Sequence, residues 1–178
     1  MLILLVGLAT AVAIATYVEE TSGLLPVGSV APDFAATRSD GSEVSLRSCL
    51  GKKNIVLFFY PKDFTAGCTA EACSIRDGYR DILAEDAVVF GVSRDGGESH
   101  EKFRTRYDLP FDLIPDTNRT MIRKYGVERL GGMIGIPKRV TYVIDKEGII
   151  RLVSHHELNM GNHLEDVLRT LRSINSSR

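Results

Sequence analysis

The sequence predicts an α/β domain built on a mixed β-sheet, and three observations carry that prediction. The runs Ile55–Tyr60, Val88–Val92 and Val140–Ile144 are continuous, apolar and β-rich, as strands of a central sheet covered on both faces are. Helical stretches lie between them at about 68–84, 97–107 and 118–125, and a last amphipathic one follows at about 162–173. Asp145-Lys-Glu-Gly148 separates two apolar strands, 140–144 and 149–153, and reads as a hairpin turn, so antiparallel pairs join the parallel ones.

Taken in order, the chain begins with a run from Met1 to Val18 that carries no charged side chain and ends at Glu19 and Glu20. As a helix, residues 1–18 would reach roughly 27 Å, enough to cross a hydrocarbon core of about 30 Å. An uncleaved transmembrane anchor is the preferred reading. A cleaved secretory signal is its rival, because Ala13-Ile-Ala15 has the small-x-small pattern; a buried core helix is the third option. Membrane association through residues 1–18, or secretion, with the domain outside the cytoplasm, is therefore expected. Residues 19–31 mix Gly, Pro and Ser without a period and read as a linker. The domain proper is expected over 32–178.

Composition narrows the function. With 44% hydrophobic and 25% charged residues among 178, the chain fits one globular domain with a short appendage. A formal net charge of -1, from 22 basic and 23 acidic residues, leaves no cationic footprint, so no nucleic-acid partner is expected. Three cysteines are too few for a disulfide scaffold and leave one over, which points to chemistry rather than stapling.

The segment FYPKDFTAGCTAEACSIRD places Cys68 where a loop gives way to a helix. Unpaired amides of a helix's first turn, together with its dipole, stabilise an anion, so Cys68 is a candidate thiolate; an inert buried cysteine is the plain alternative. Pro61 and Gly67 shape a close backbone approach, and the Thr65 hydroxyl offers both a donor and an acceptor.

Pro61-x-x-x-Thr65-x-x-Cys68 resembles the active-site motif of the peroxiredoxins, and Cys73 narrows the resemblance to the bacterioferritin comigratory protein, or peroxiredoxin Q, branch. The likeness runs over roughly residues 26–172, including Ala31-Pro-Asp-Phe34, Val92-Ser-Arg-Asp95 and Pro137-Lys-Arg139. It implies a thioredoxin-like fold with an added amino-terminal hairpin, Cys68 as peroxidatic residue, Cys73 as resolving residue, and Arg139 beside the peroxidatic sulfur. It implies reduction of hydroperoxides and a thioredoxin-like dithiol reductant, with no cofactor and a monomer rather than an obligate oligomer. Ala66, where family members often have Pro, and the apolar leader depart from the pattern. A guanidinium at Arg139 would favour a thiolate and offer a fork of donors to peroxide oxygens; a surface arginine is the alternative. Glu71, one turn after Cys68, reads either as a group holding the loop or the Arg side chain, or as a solvated helix-face glutamate.

Other features carry less. His155, His156 and His163 lack ligand spacing, and Cys68 and Cys73 lack zinc-knuckle or CxxC spacing, so no metal is expected. Cys49, before a turn, reads as a packing residue, and Gly131–Gly135 as a flexible loop near the active site rather than a phosphate cradle. Two other functions fit the same residues: a tethered thiol-disulfide oxidoreductase, whose usual CxxC is absent, and a non-catalytic module with Cys68 and Cys73 as a sensing pair.

Overall fold

A computed structural model describes residues 23–38, 40–129, 135–155 and 160–176. Its centre is a five-stranded sheet in the order β5-β4-β3-β6-β7, formed by β3 (Asn54–Phe59), β4 (Ala87–Ser93), β5 (Asp112–Pro115), β6 (Val140–Ile144) and β7 (Ile150–His155). β3 runs parallel to β4, and β4 to β5; β6 is antiparallel to both β3 and β7. The mixed sheet is therefore as expected. Every residue of β3 and β6 is buried, which is why both read as unbroken apolar runs. At the 145–148 turn the Asp145 carboxylate accepts from the amides of Glu147 and Ile149, and Gly148 has φ +81°, the left-handed conformation that favours glycine.

A two-stranded hairpin, β1 (Ala35–Thr37) and β2 (Glu43–Ser45), precedes a short helix α1 (Leu46–Cys49) closed by a Ser45/Ser48 capping box. The remaining helices are α2 (Ala66–Asp77), α3 (Tyr79–Ala84), α4 (Gly97–Tyr107), α5 (Thr120–Lys124) and α6 (Met160–Ser176). The sheet divides the apolar interior in two. One face packs Leu57, Phe59 and Tyr142 against the hairpin side and α5; the other packs Val56, Phe58 and Val143 against α2, α4 and α6.

The single helix expected over 68–84 is two. It breaks at Gly78, whose hydrogen faces Leu164 of α6 so closely that an added Cβ would lie 2.5 Å from a Leu164 methyl. The close packing of Leu164 requires glycine at this position, and glycine is a poor helix former; periodicity does not report that contact. β5 and α1, too short to show a period, were not expected.

The linker reading fails from residue 24 onward. Leu24 and Leu25 pack on the core, and the amides of Gly28 and Ala31 donate to the carbonyls of Ile150 and Gly148. Those backbone bonds tie the segment to β7. The anchor or signal expected at residues 1–18 lies outside the described residues. Among the described residues no helix is long and apolar enough to cross a membrane. The long amphipathic helix, α6, instead turns Val167 and Leu171 into the core.

Candidate active site

The site is built where β3 leaves the sheet. Residues 60–65 form a loop, and Thr65 then takes extended dihedrals (φ −81°, ψ 148°) as the N-cap of α2. Its carbonyl accepts from the Thr69 amide, while its hydroxyl donates to the Lys62 carbonyl at 3.0 Å instead of capping the helix. Cys68 therefore occupies the third position of the helix, within the first turn, where orphan amides and the dipole favour negative charge. It is 1% exposed. Pro61 is half-buried at the loop's start.

Arg139 comes from 71 residues further along, at the entry to β6. Its Nη2 lies 3.4 Å from Cys68 Sγ, and its Nη1 lies 2.5 Å from Glu71 Oε2. Arg139 and Glu71 are both buried. Burial by itself would lower the guanidinium's pKa, but the Glu71 carboxylate and then the Cys68 sulfur raise it above its ordinary value. The buried cation is thus retained beside the sulfur. Of the alternatives open in the sequence, the surface arginine and the solvated glutamate are both excluded by burial.

Glu71 has a further neighbour that spacing did not reveal. His163 of α6 places Nδ1 3.7 Å from Glu71 Oε1 and 2.9 Å from Thr141 Oγ1, deep in the core. The four groups Cys68, Arg139, Glu71 and His163 thus form a chain from the sulfur to the carboxy-terminal helix. His163 drew notice only as a possible metal ligand; nothing in its spacing indicates Glu71.

Cys73 lies on α2, five residues after Cys68, half-buried, and none of the three cysteines is joined in a disulfide. Cys49 is buried at the end of α1, in the cluster on the opposite face of the sheet from Cys68. Of the glycine-rich stretch only Gly135 is described. Its carbonyl accepts from Arg94 Nη1 at 2.8 Å, which ties the approach to Arg139 to the end of β4.

Residues 27–153 match the AhpC/TSA family. The chain belongs to the AhpC/TSA family. Within it the likeness is to the peroxiredoxin Q branch. Peroxiredoxin Q of Sedum lineare, a chloroplastic protein, is 38% identical over 83% of this chain and 78% of its own. That of Suaeda salsa, also chloroplastic, is 37% identical over 83% of this chain and 68% of its own. The crystal structure of peroxidoxin BcpB from Mycobacterium tuberculosis superposes with a TM-score of 0.78 at 33% identity, covering 84% of this chain and 98% of that one.

The peroxiredoxin fold is thioredoxin-like, as the motif implied, and the protein is a thiol peroxidase, an oxidoreductase acting on peroxide. One expectation is corrected. A membrane-anchored or secreted protein with its domain outside the cytoplasm was inferred from residues 1–18 alone. The plant relatives are named as chloroplastic, and no described helix of this peroxiredoxin is long and apolar enough to cross a membrane. Length and apolarity satisfy a necessary condition for spanning; they do not by themselves fix where a protein resides.

Proposed function

We propose that Cys68 is the peroxidatic residue and Cys73 the resolving one, in a cycle that reduces hydrogen peroxide and small organic hydroperoxides. The observation that carries this reading is the Arg139 guanidinium, buried, braced by Glu71 and 3.4 Å from Cys68 Sγ. In the first step the Cys68 thiolate attacks one peroxide oxygen. An S–O bond forms as the O–O bond breaks, sulfur loses two electrons, and the departing oxygen takes a proton to leave as water or alcohol. Arg139 supplies donors to the oxygen on which charge develops, and Pro61 and Thr65 shape the approach. The Thr65 hydroxyl keeps lone pairs beyond its bond to Lys62. A structure of the Xanthomonas campestris bacterioferritin comigratory protein, 25% identical, was described in connection with alkyl peroxide reduction, which supports organic hydroperoxides as substrates here.

The Cys73 thiol then displaces water from the Cys68 sulfenic acid, closing an intramolecular disulfide that a thioredoxin-like dithiol reduces. In regular helix, five steps separate Cα atoms by roughly 8–9 Å. A disulfide needs about 7 Å or less. Both cysteines lie in α2, so the first turns of that helix must unwind for resolution. Stopped-flow mixing of the purified protein with hydrogen peroxide, thioredoxin, thioredoxin reductase and NADPH tests the cycle. Steady turnover with a Cys68–Cys73 disulfide is expected; turnover without that disulfide would remove Cys73 from the mechanism.

A further inference from the structure

The loop from Tyr60 to Thr65 carries Pro61 and Thr65 and sets where α2 begins, yet only one of its charged side chains is buried. Lys62 is exposed; Asp63 is 3% exposed. The Asp63 carboxylate accepts from Tyr60 Oη at 2.7 Å and from Ser99 Oγ at 2.7 Å, and lies 2.9 Å from His100 Nδ1. Its own amide donates to Asp95 Oδ2 at 2.8 Å, an oxygen that also accepts from Ser93 Oγ at the end of β4. The loop is therefore fastened to β4 by its backbone and to α4 by its side chain.

His100 is wholly buried, and its Nε2 meets no hydrogen-bond partner among the described residues. The carboxylate only accepts, so the Nδ1 that faces it carries a proton. Nδ1 faces the Asp63 carboxylate and, at 3.3 Å, the Tyr60 hydroxyl. Next in the loop, Phe64 has φ +61°, a conformation a bulky residue holds only when its surroundings impose it. Its ring packs on Phe103, 5.2 Å between centroids, and near Tyr107 at 6.4 Å, both on α4. Ser99, His100, Phe103 and Tyr107 thus hold two consecutive loop residues immediately before Thr65.

We propose that Asp63, gripped by His100, Tyr60 and Ser99, is a positioning residue for the peroxide reaction: it fixes loop 60–65 and thereby the stance of Thr65 and the first turn of α2. The Cys68 sulfur takes its hydrogen bond from Arg139 and from none of these four side chains, which act through the loop. By steadying the first turn of α2 the anchor favours peroxide attack and opposes the unwinding that resolution needs, so its loss slows the first step and does not slow disulfide closure. This inference rests on the proposed role of Cys68.

Quenched-flow mass spectrometry of the full chain separates the two steps, reading Cys68 oxidation by hydrogen peroxide and then disulfide formation. His100→Leu, which removes the donor, is expected to slow oxidation by roughly 10- to 100-fold, the scale of a small misplacement in a reacting site, without slowing disulfide formation. His100→Asn, whose side-chain nitrogen falls where Nδ1 does, is expected to restore most of the rate. Tyr60→Phe and Ser99→Ala each delete one bond and should give smaller, graded losses. Leu171→Ala, a core change on α6, controls for stability: it should lower the thermal midpoint while leaving the oxidation rate of the folded protein intact. Wild-type oxidation in His100→Leu, or an Asn variant as slow as the Leu one, would overturn the assignment. Should wild-type Cys68 itself not be oxidised, the proposed function fails and the anchor's role goes with it.

Discussion

Cys49 and Cys68 are both buried, at 9% and 1% exposure, and both sit in helices, yet only one is surrounded by chemistry. Cys49 ends a four-residue helix amid apolar side chains, and its polar neighbour is the Ser48 hydroxyl, 3.8 Å from its sulfur. Cys68 stands in the first turn of a twelve-residue helix with a guanidinium 3.4 Å away. Burial without a charge partner makes a thiol a packing group; burial beside a fixed cation gives it a use for its electrons. The difference is made by Arg139 and the helix start, since the two sulfurs are chemically alike.

The sharpest way to break this contrast is to remove each sulfur. Cys68→Ser should abolish peroxide consumption, measured by the loss of hydrogen peroxide in a coupled assay. Cys49→Ser should leave the rate within about twofold of wild type, with a stability loss of about 1 kcal/mol for a small core change. Equal losses of activity in the two variants would erase the distinction.

Withdrawing the cation is the next test. Arg139→Ala should slow Cys68 oxidation by about 100-fold, the scale seen when one preorganised donor to a developing anion is lost. It should also destabilise the fold, because Glu71 would be left as a buried charge without this partner. Arg139→Lys keeps the charge and loses the fork, so an intermediate rate is expected. An unchanged second-order rate constant in the Ala variant would detach Arg139 from the reaction.

Cys73→Ser should leave the first step near its wild-type rate and block the second. Sulfenic acid should accumulate on Cys68 and proceed to sulfinic acid at lower peroxide than in wild type. In the wild-type protein one equivalent of peroxide should speed hydrogen exchange over residues 68–80, and this variant should lose that change. A disulfide trapped between Cys68 and Cys49, which the sheet separates, would contradict the pairing.

The smallest effect is on acid stability. Burial acts to raise the Asp63 pKa, but His100, Ser99 and Tyr60 hold it below the ordinary carboxylate value. The native state then binds fewer protons than the unfolded chain between the two pKa values, so stability rises with pH across that window. This contribution is fully present above the ordinary Asp pKa of about 3.9 and is lost as pH falls through the depressed native value. Asp63→Asn should therefore flatten the acid limb of a denaturation profile below about pH 4 relative to wild type. Parallel acid limbs would show that folding leaves the Asp63 pKa unshifted.

By itself the sequence determined what local pattern can determine. Unbroken apolar runs identified β3, β4 and β6, the Asp145–Gly148 turn made the sheet mixed, and Pro61, Thr65, Cys68 and Cys73 carried the resemblance that implied peroxide chemistry. Each of those signals fits within a few residues, where backbone geometry alone relates one side chain to the next. The tertiary structure decided the rest. Glu71 and Arg139 are 68 residues apart, Asp63 and His100 are 37 apart, and Leu164, 86 residues from Gly78, packs where a side chain at that position would lie. No period links such partners: a buried carboxylate finds its donors only after separate elements pack, and until then Glu71 and Asp63 look like any charged residue on a helix or in a loop.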